Sequence, residues 1–169
     1  MKSVAVYFPN LLICDADLST PIEEIEILLQ SRRGESVVIG SRAVDRNLIL
    51  IHQPWYRDIM GRIFNTIQQN LAVRGLVDTQ CGFKLYPGEL GRALSEVQRL
   101  DGFAFDVELL LIARSWHYAI VEKGVRWSHV EASRVLPLKH SIQMLRDLLR
   151  LWSWRISGRL PTKPEYLPR

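Results

Sequence analysis

Between Leu11 and Leu29 the chain passes from an apolar run into a helix signal through a very short polar turn. Leu11-Leu12-Ile13-Cys14 reads as a buried strand. Thr20 suits an N-cap, Pro21 a first helical position, and Glu23 completes a capping box with Thr20. Ile22, Ile25 and Leu29 then share one helical face. The turn between strand and helix holds two carboxylates, Asp15 and Asp17. In open α/β sheets such strand ends are where ligands bind. Two carboxylates leaving a strand suit a hard divalent cation, Mg²⁺ or Mn²⁺, which keeps waters and completes its shell with substrate phosphates. That points to diphosphate chemistry, with charge stabilised on a leaving group.

The rest of the chain follows the same grammar. Ser36 to Gly40 reads as a second strand and residues 42 to 52 as a loop. Ile59, Ile63, Ile67 and Leu71 mark a helix between about Pro54 and Val73, ended by Gly75. Asp78 to Tyr86 is a polar turn entering a short strand. Phe105–Trp116 reads as a helix, Ala119–Trp127 as a strand and Leu138–Ile156 as a long helix, before a tail broken by Pro161, Pro164 and Pro168. This alternation argues an α/β fold with a mainly parallel sheet. At 169 residues the chain can bury one core. Its two cysteines, Cys14 and Cys81, read as small packed residues in a reducing setting. No apolar run is long enough to span a bilayer.

Further candidates are scattered. Arg42 follows the second strand and Arg57 opens the next helix, where a planar guanidinium suits phosphate oxygens. Asp78 and Gln80 occupy a turn dense in polar groups, which suits a ligand-facing loop. Asp106 and Glu108 precede a purely apolar stretch and read equally as helix N-terminal acids. The net charge of +4 is uneven. From Lys139 onward there are seven basic and two acidic residues, and everything earlier is net −1. In that tail Leu138, Ile142, Leu145, Leu149, Trp152 and Ile156 form an apolar stripe flanked by basic residues. The pattern suits equally a surface helix packing on its own domain or a membrane interface; in the second case Arg146, Arg150 and Arg155 meet lipid phosphates and Trp152 and Trp154 sit at headgroup level. The stripe is too apolar for a phosphate-tracking nucleic-acid surface, so nucleic acid is not an expected partner.

Taken in order, "DADLSTP", "VVIGSR", "RGLVDTQCGFKLY", "GFAFDVELLLIAR" and the run Glu122 to Trp127 resemble the family-2 glycosyltransferases that act on polyprenyl phosphates, of the dolichyl-phosphate β-glucosyltransferase type. The resemblance covers about residues 13 to 150 and implies a GT-A fold, a mixed sheet flanked by helices. It implies a nucleotide-sugar donor such as UDP-glucose, a divalent metal, and a polyprenyl-phosphate acceptor at the cytoplasmic face of a membrane. By position, Asp15 and Asp17 match the metal and donor-diphosphate motif, with Ser19 where mannosyl relatives often carry glutamine. Arg134 falls near the donor phosphates, and Arg42, Arg57 and Gln80 match acceptor-phosphate positions. Asp78 matches an active-site aspartate sometimes proposed as a base, and Asp106 is the second candidate catalytic carboxylate. The family's first strands, which hold the nucleotide base and ribose, have no match in Met1 to Asn10. The expectation is therefore a partial GT-A domain over 1–136 and a basic interface helix with its tail over 137–169, with a companion chain possible. Rival readings keep the lipid acceptor with a mannosyl or other donor, or take the chain as a non-catalytic membrane-associated fragment.

Overall fold

The computed structural model describes residues 8–51, 55–102, 104–130 and 137–168. Strand β1 (Asn10–Cys14) leads through a 3-10 turn (Ile22–Glu24) into helix α1 (Ile25–Ser31) and strand β2 (Val37–Ser41). A second 3-10 turn (Arg46–Leu48) precedes β3 (Ile49–Ile51) and α2 (Trp55–Leu71). Then come β4 (Phe83–Pro87), α3 (Gly88–Val97), α4 (Phe105–Ser115), β5 (Ile120–Gly124), β6 (Trp127–Ser128) and α5 (Pro137–Ile156).

The main sheet runs β1-β4-β2-β5. Strand β4 is antiparallel to both neighbours, and only β2 and β5 pair in parallel. The sheet is thus mixed and not mainly parallel. Strand β4 makes it so: it follows α2 through the Asp78 turn and lies between β1 and β2, antiparallel to each. Strands β3 and β6 form a separate parallel pair.

The two faces of the sheet follow the two-residue period of a strand. Phe83 and Leu85 of β4 join Val38, Val125, Cys81 and Leu28 of α1 in one buried layer. Tyr86 points the other way, into a larger layer with Val37, Ile39, Leu90, Leu94, Val107, Leu110, Leu148 and Leu151. Lys84 shares this second face: its register partners are Ile13 and Ile39, and it has no exposed surface.

Several expectations from the pattern are corrected. Thr20 makes no cap. The helix opens as a 3-10 turn behind Pro21, Thr20 is buried with its hydroxyl 3.9 Å from the Cys81 sulfur, and no capping box with Glu23 forms. Leu28 faces the sheet, while Ile22 and Leu29 are exposed. Glu24 turns inward and pairs with Arg126, accepting its backbone N–H at 3.1 Å as well as its guanidinium. Residues 46–51 are ordered, because Asp45 accepts from the Asn47 N–H at 3.0 Å and β3 finds β6. Helix α3 adds an element that the expectations lacked: Leu90, Ala93 and Leu94 are buried at helical spacing, and Gly91 lies 3.4 Å, measured from an added Cβ, from Leu11. Cys14 is exposed and only Cys81 is packed.

Helix α5 has two apolar faces. Leu148 and Leu151 are buried, with Met144 and Trp154 packed beside them. The stripe Ile142, Leu145, Leu149, Trp152 and Ile156 faces away from the core and is exposed. Arg155 stays exposed but reaches back along the protein surface, donating to the Ala72 carbonyl at 3.3 Å. The proline-rich tail folds back: the Trp116 indole donates to the Pro161 carbonyl at 2.8 Å, and Leu167 is buried. Among the described residues no helix is long and apolar enough to cross a membrane. This geometry predicts that Leu148→Ala destabilises the fold by about 2–5 kcal/mol, while Leu149→Ala stays within about 0.5 kcal/mol. Urea denaturation of both variants checks it, and equal losses would mean that the helix packs by its other face.

Candidate active site

The carboxylate turn, the Asp78 loop and the first turn of α4 converge at one end of the sheet. Antiparallel pairing of β1 with β4 sets Cys14 opposite Phe83, so Asp15 meets Gly82 as the strands part. The Asp15 N–H donates to the Gly82 carbonyl at 2.9 Å. Its carboxylate folds directly over the glycine: a Cβ added there would lie 2.1 Å from the carboxyl atoms. The turn closes with the Leu18 N–H donating to the Asp15 carbonyl at 3.1 Å and the Ser19 N–H to Asp17 Oδ1 at 3.0 Å. Leu18 adopts a left-handed φ of 51°, a conformation that costs of order 1 kcal/mol for a side chain of its size and recurs at ligand-binding turns. The outer edges of both carboxylates remain open to solvent. Partial burial, then the charge of Asp17, raises the Asp15 carboxyl above its usual range, and Lys84 and Arg42 oppose the rise.

Arg42 and Asp78 are locked together. Arg42 Nε donates to Asp78 Oδ2 at 2.7 Å, Nη2 to Oδ1 at 2.8 Å, and its backbone N–H to Oδ2 at 2.9 Å. The Gln80 N–H adds a fourth donor to Oδ1 at 3.2 Å. Burial alone would raise Asp78 and lower Arg42. The pair outweighs it, so Asp78 is held below the usual carboxylate range and Arg42 above that of a free guanidinium. The guanidinium lies 5.4 Å from the Trp127 ring centroid. Glu122 fixes the loop from below, accepting from the Val77 and Asp78 N–H groups at 2.9 and 2.7 Å.

Pattern reading missed Lys84 as a member of the site. Its ammonium lies 3.1 Å from Asp106 Oδ1 and donates to the Cys81 carbonyl at 2.5 Å. Burial raises Asp106, and Lys84 opposes that rise. The available signal was a lysine inside the apolar strand FKLYP, since charged residues are almost never fully buried unpaired. Glu122 and Trp127 were also not singled out. Glu108 is structural: it accepts from the Arg99 and Leu100 N–H groups at 3.1 and 2.9 Å. The Gln80 side-chain nitrogen is buried with no partner. Arg57 lies in the first turn of α2 with only its backbone described, and Arg134 lies outside the described residues. The structure thus brings Asp15, Asp17, Arg42, Asp78, Gln80 and Asp106 to one end of the sheet.

Among the described residues no group of three or more His, Cys, Asp or Glu could hold a metal by itself. The Asp15–Asp17 turn nevertheless fits a shared divalent ion. It offers two hard, solvent-facing carboxylates whose mutual repulsion a cation relieves, and Mg²⁺ sites commonly use one or two carboxylates plus substrate oxygens.

Comparison with known proteins gives this geometry a lineage. The dolichyl-phosphate β-glucosyltransferase of Drosophila melanogaster is 34% identical over 162 residues, covering 88% of this chain and 50% of that protein. The human enzyme of the same name is 33% identical over 147 residues, covering 83% and 45%. This chain is homologous to the dolichyl-phosphate β-glucosyltransferases. It spans about half the length of these relatives. No protein-family model matches. Glucosyl-3-phosphoglycerate synthase from Mycobacterium tuberculosis, solved with uridine diphosphate, superposes with a TM-score of 0.51 at 18% identity, over 92% of this chain and 51% of that one. A likeness at that identity speaks to fold alone, and the fold is GT-A, as the resemblance implied.

Two predictions follow from this geometry. Gly82→Ala displaces the Asp15 carboxylate by steric contact and should abolish Mn²⁺ binding while lowering Tm only modestly. Paramagnetic relaxation of solvent water reads the binding, and retained binding would mean that the turn is not the ion's seat. The second concerns pH. Asp78 is lowered from 3.8, so its pair with Arg42 stabilises the fold fully above about pH 4 and is lost as pH falls through the lower folded value. Asp78→Asn should cost about 2 kcal/mol at pH 7 and flatten the stability curve below about pH 4. An acid limb of unchanged slope in urea denaturation would contradict the pairing.

Proposed function

We propose that this chain is part of a glycosyltransferase that moves a hexose, glucose from UDP-glucose, onto the phosphate of a polyprenol. The observation that carries the reading is the Asp15–Asp17 turn seated on Gly82, beside Arg42 and Gln80, in a chain homologous to dolichyl-phosphate β-glucosyltransferases. Asp15 and Asp17 would hold Mg²⁺ or Mn²⁺ together with the donor diphosphate, and Arg134 is assigned to the donor side by its sequence position. When bound, the ion stabilises the charge of the departing nucleoside diphosphate.

Transfer is inverting. An acceptor phosphate oxygen forms its bond to the anomeric carbon as the bond from that carbon to the diphosphate breaks. The acceptor is already an anion near neutral pH, so no side chain has to remove its proton. Catalysis rests on positioning and on electrostatic complementarity at the leaving group. Arg42 offers Nη1, which takes no partner among the described residues, and Gln80 offers its unpartnered side-chain amide. Arg57 is assigned to the same phosphate from sequence position. Asp106, held by Lys84, faces the same end of the sheet and is the remaining carboxylate with a catalytic assignment.

The exposed stripe of α5 supports attachment to a membrane surface without a spanning segment. Five large apolar side chains point away from the core, and Arg146 and Arg150 flank them. Each basic residue near an anionic surface contributes about 1 kcal/mol. Among the described residues strand β1 is an edge of the sheet, and its outer side is where a companion chain could add a strand.

Two experiments test the reading. The full chain, and the chain with any companion that co-purifies, is assayed for glucosyl transfer from UDP-glucose to dolichyl phosphate with Mg²⁺. Activity that Asp17→Ala lowers at least 100-fold supports the assignment, and metal-dependent activity untouched by that change sinks it. Separately, co-sedimentation with phosphatidylserine vesicles should fall at least tenfold in Ile142→Glu/Leu149→Glu. Equal sedimentation of both proteins would remove the membrane role of α5.

A further inference from the structure

The site contains a carboxylate that has no capacity left for chemistry. Asp78 carries two oxygens, and both are saturated: Oδ2 accepts from Arg42 Nε and N, and Oδ1 from Arg42 Nη2 and the Gln80 N–H. The side chain is buried. A base must have an oxygen within reach of the proton that it takes, and it must release its other partners to take it. Here that release would break a bidentate pair, the strongest kind of side-chain hydrogen bonding available to a carboxylate. The depressed proton affinity of Asp78 agrees with that reading.

What the arrangement does well is aim a guanidinium. Arg42 leaves β2 at its end, immediately after Ser41, and its long side chain would otherwise sample many rotamers. Three constraints remove that freedom. Asp78 grips Nε and Nη2 from one edge. Trp127 lies against the face at 5.4 Å. The backbone N–H of Arg42 is bonded to the same carboxylate, which ties the start of the side chain to its end. The grip is itself anchored, because Glu122 on β5 holds the Val77 and Asp78 N–H groups and β5 pairs with β2. Of the guanidinium nitrogens, Nη1 alone has no partner among the described residues.

We infer that Asp78 is a positioning residue for the acceptor phosphate. It acts through Arg42, whose free Nη1 edge it presents to the incoming phosphate oxygen, and Glu122 holds the loop that makes this possible. The inference rests on the proposed acceptor reading, and it replaces a proton-abstracting role for Asp78.

The test uses the full chain and citronellyl phosphate, a short soluble polyprenyl phosphate. Calorimetry gives its Kd for the wild type, Arg42→Ala, Asp78→Asn and the double variant, and ¹⁵N NMR follows the Arg42 Nε–H. Asp78→Asn should weaken binding at least tenfold, close to the effect of Arg42→Ala, and the double variant should be no weaker than Arg42→Ala. The Arg42 Nε–H should exchange slowly in the wild type and rapidly in Asp78→Asn. Glu122→Gln, which keeps shape but weakens the loop's anchor, should give a smaller loss in the same direction. Wild-type affinity in Asp78→Asn, or additive losses in the double variant, overturns the inference. If Arg42→Ala binds the probe as the wild type does, the acceptor reading fails by itself. The Nε–H signal then decides the positioning of Arg42: its persistence in Asp78→Asn overturns that part too.

Discussion

Lys84 carries an ammonium on the middle of β4, with no exposed surface and isoleucines as its strand neighbours on both sides. Leaving such a charge unpaired in a core is prohibitive, and removing one partner of a buried ion pair costs about 3–5 kcal/mol. The pairing with Asp106 therefore fixes the first turn of α4 against the sheet, and the bond to the Cys81 carbonyl fixes the loop just before β4. The same positive charge opposes the rise that burial imposes on Asp15 and Asp106, and adds to the lowering of Asp78 that Arg42 causes. Three carboxylates can share one end of a sheet because this cation lies beneath them. The site is thus built on a stability problem that the fold solves once, at β4.

How much of this was legible in the sequence depends on whether the cause was local. The strand ending at Cys14, the carboxylate turn and the long helices announce themselves by period and punctuation, and the structure has them within a few residues. The 3-10 opening before α1 was not legible, because Thr20 is drawn inward by Cys81, some 61 positions away. Helix α3 was legible but passed over: Leu90, Ala93, Leu94 and Val97 fall at helical spacing and pack on the core, with Gly91 close to Leu11 of β1. In the site, Asp15, Asp17, Arg42 and Asp78 were named individually. Their coupling was not, since it depends on the antiparallel pairing of β4 with β1 and β2, which the alternation of elements argued against.

The stripe on α5 shows a related limit of periodicity. The sequence presents one continuous apolar row, and the ordinary expectation is that such a row packs inward. The structure instead seats the helix by Leu148 and Leu151, leaves the row outside and turns Arg155 toward Ala72. A helix held by a second, shorter apolar face is free to offer the first to something else. That division of labour makes the row informative about a partner surface and not only about the fold.

The central claim is that Asp15 and Asp17 seat a divalent ion shared with a nucleoside diphosphate. Mn²⁺ electron paramagnetic resonance on the full chain, titrated with UDP, tests it most directly. The account predicts weak binding of Mn²⁺ alone and at least tenfold tighter binding once UDP is present. It also predicts that Asp15→Asn and Asp17→Asn each abolish the ternary signal. Mn²⁺ binding that is indifferent to UDP, or a ternary signal that survives in both variants, would contradict it.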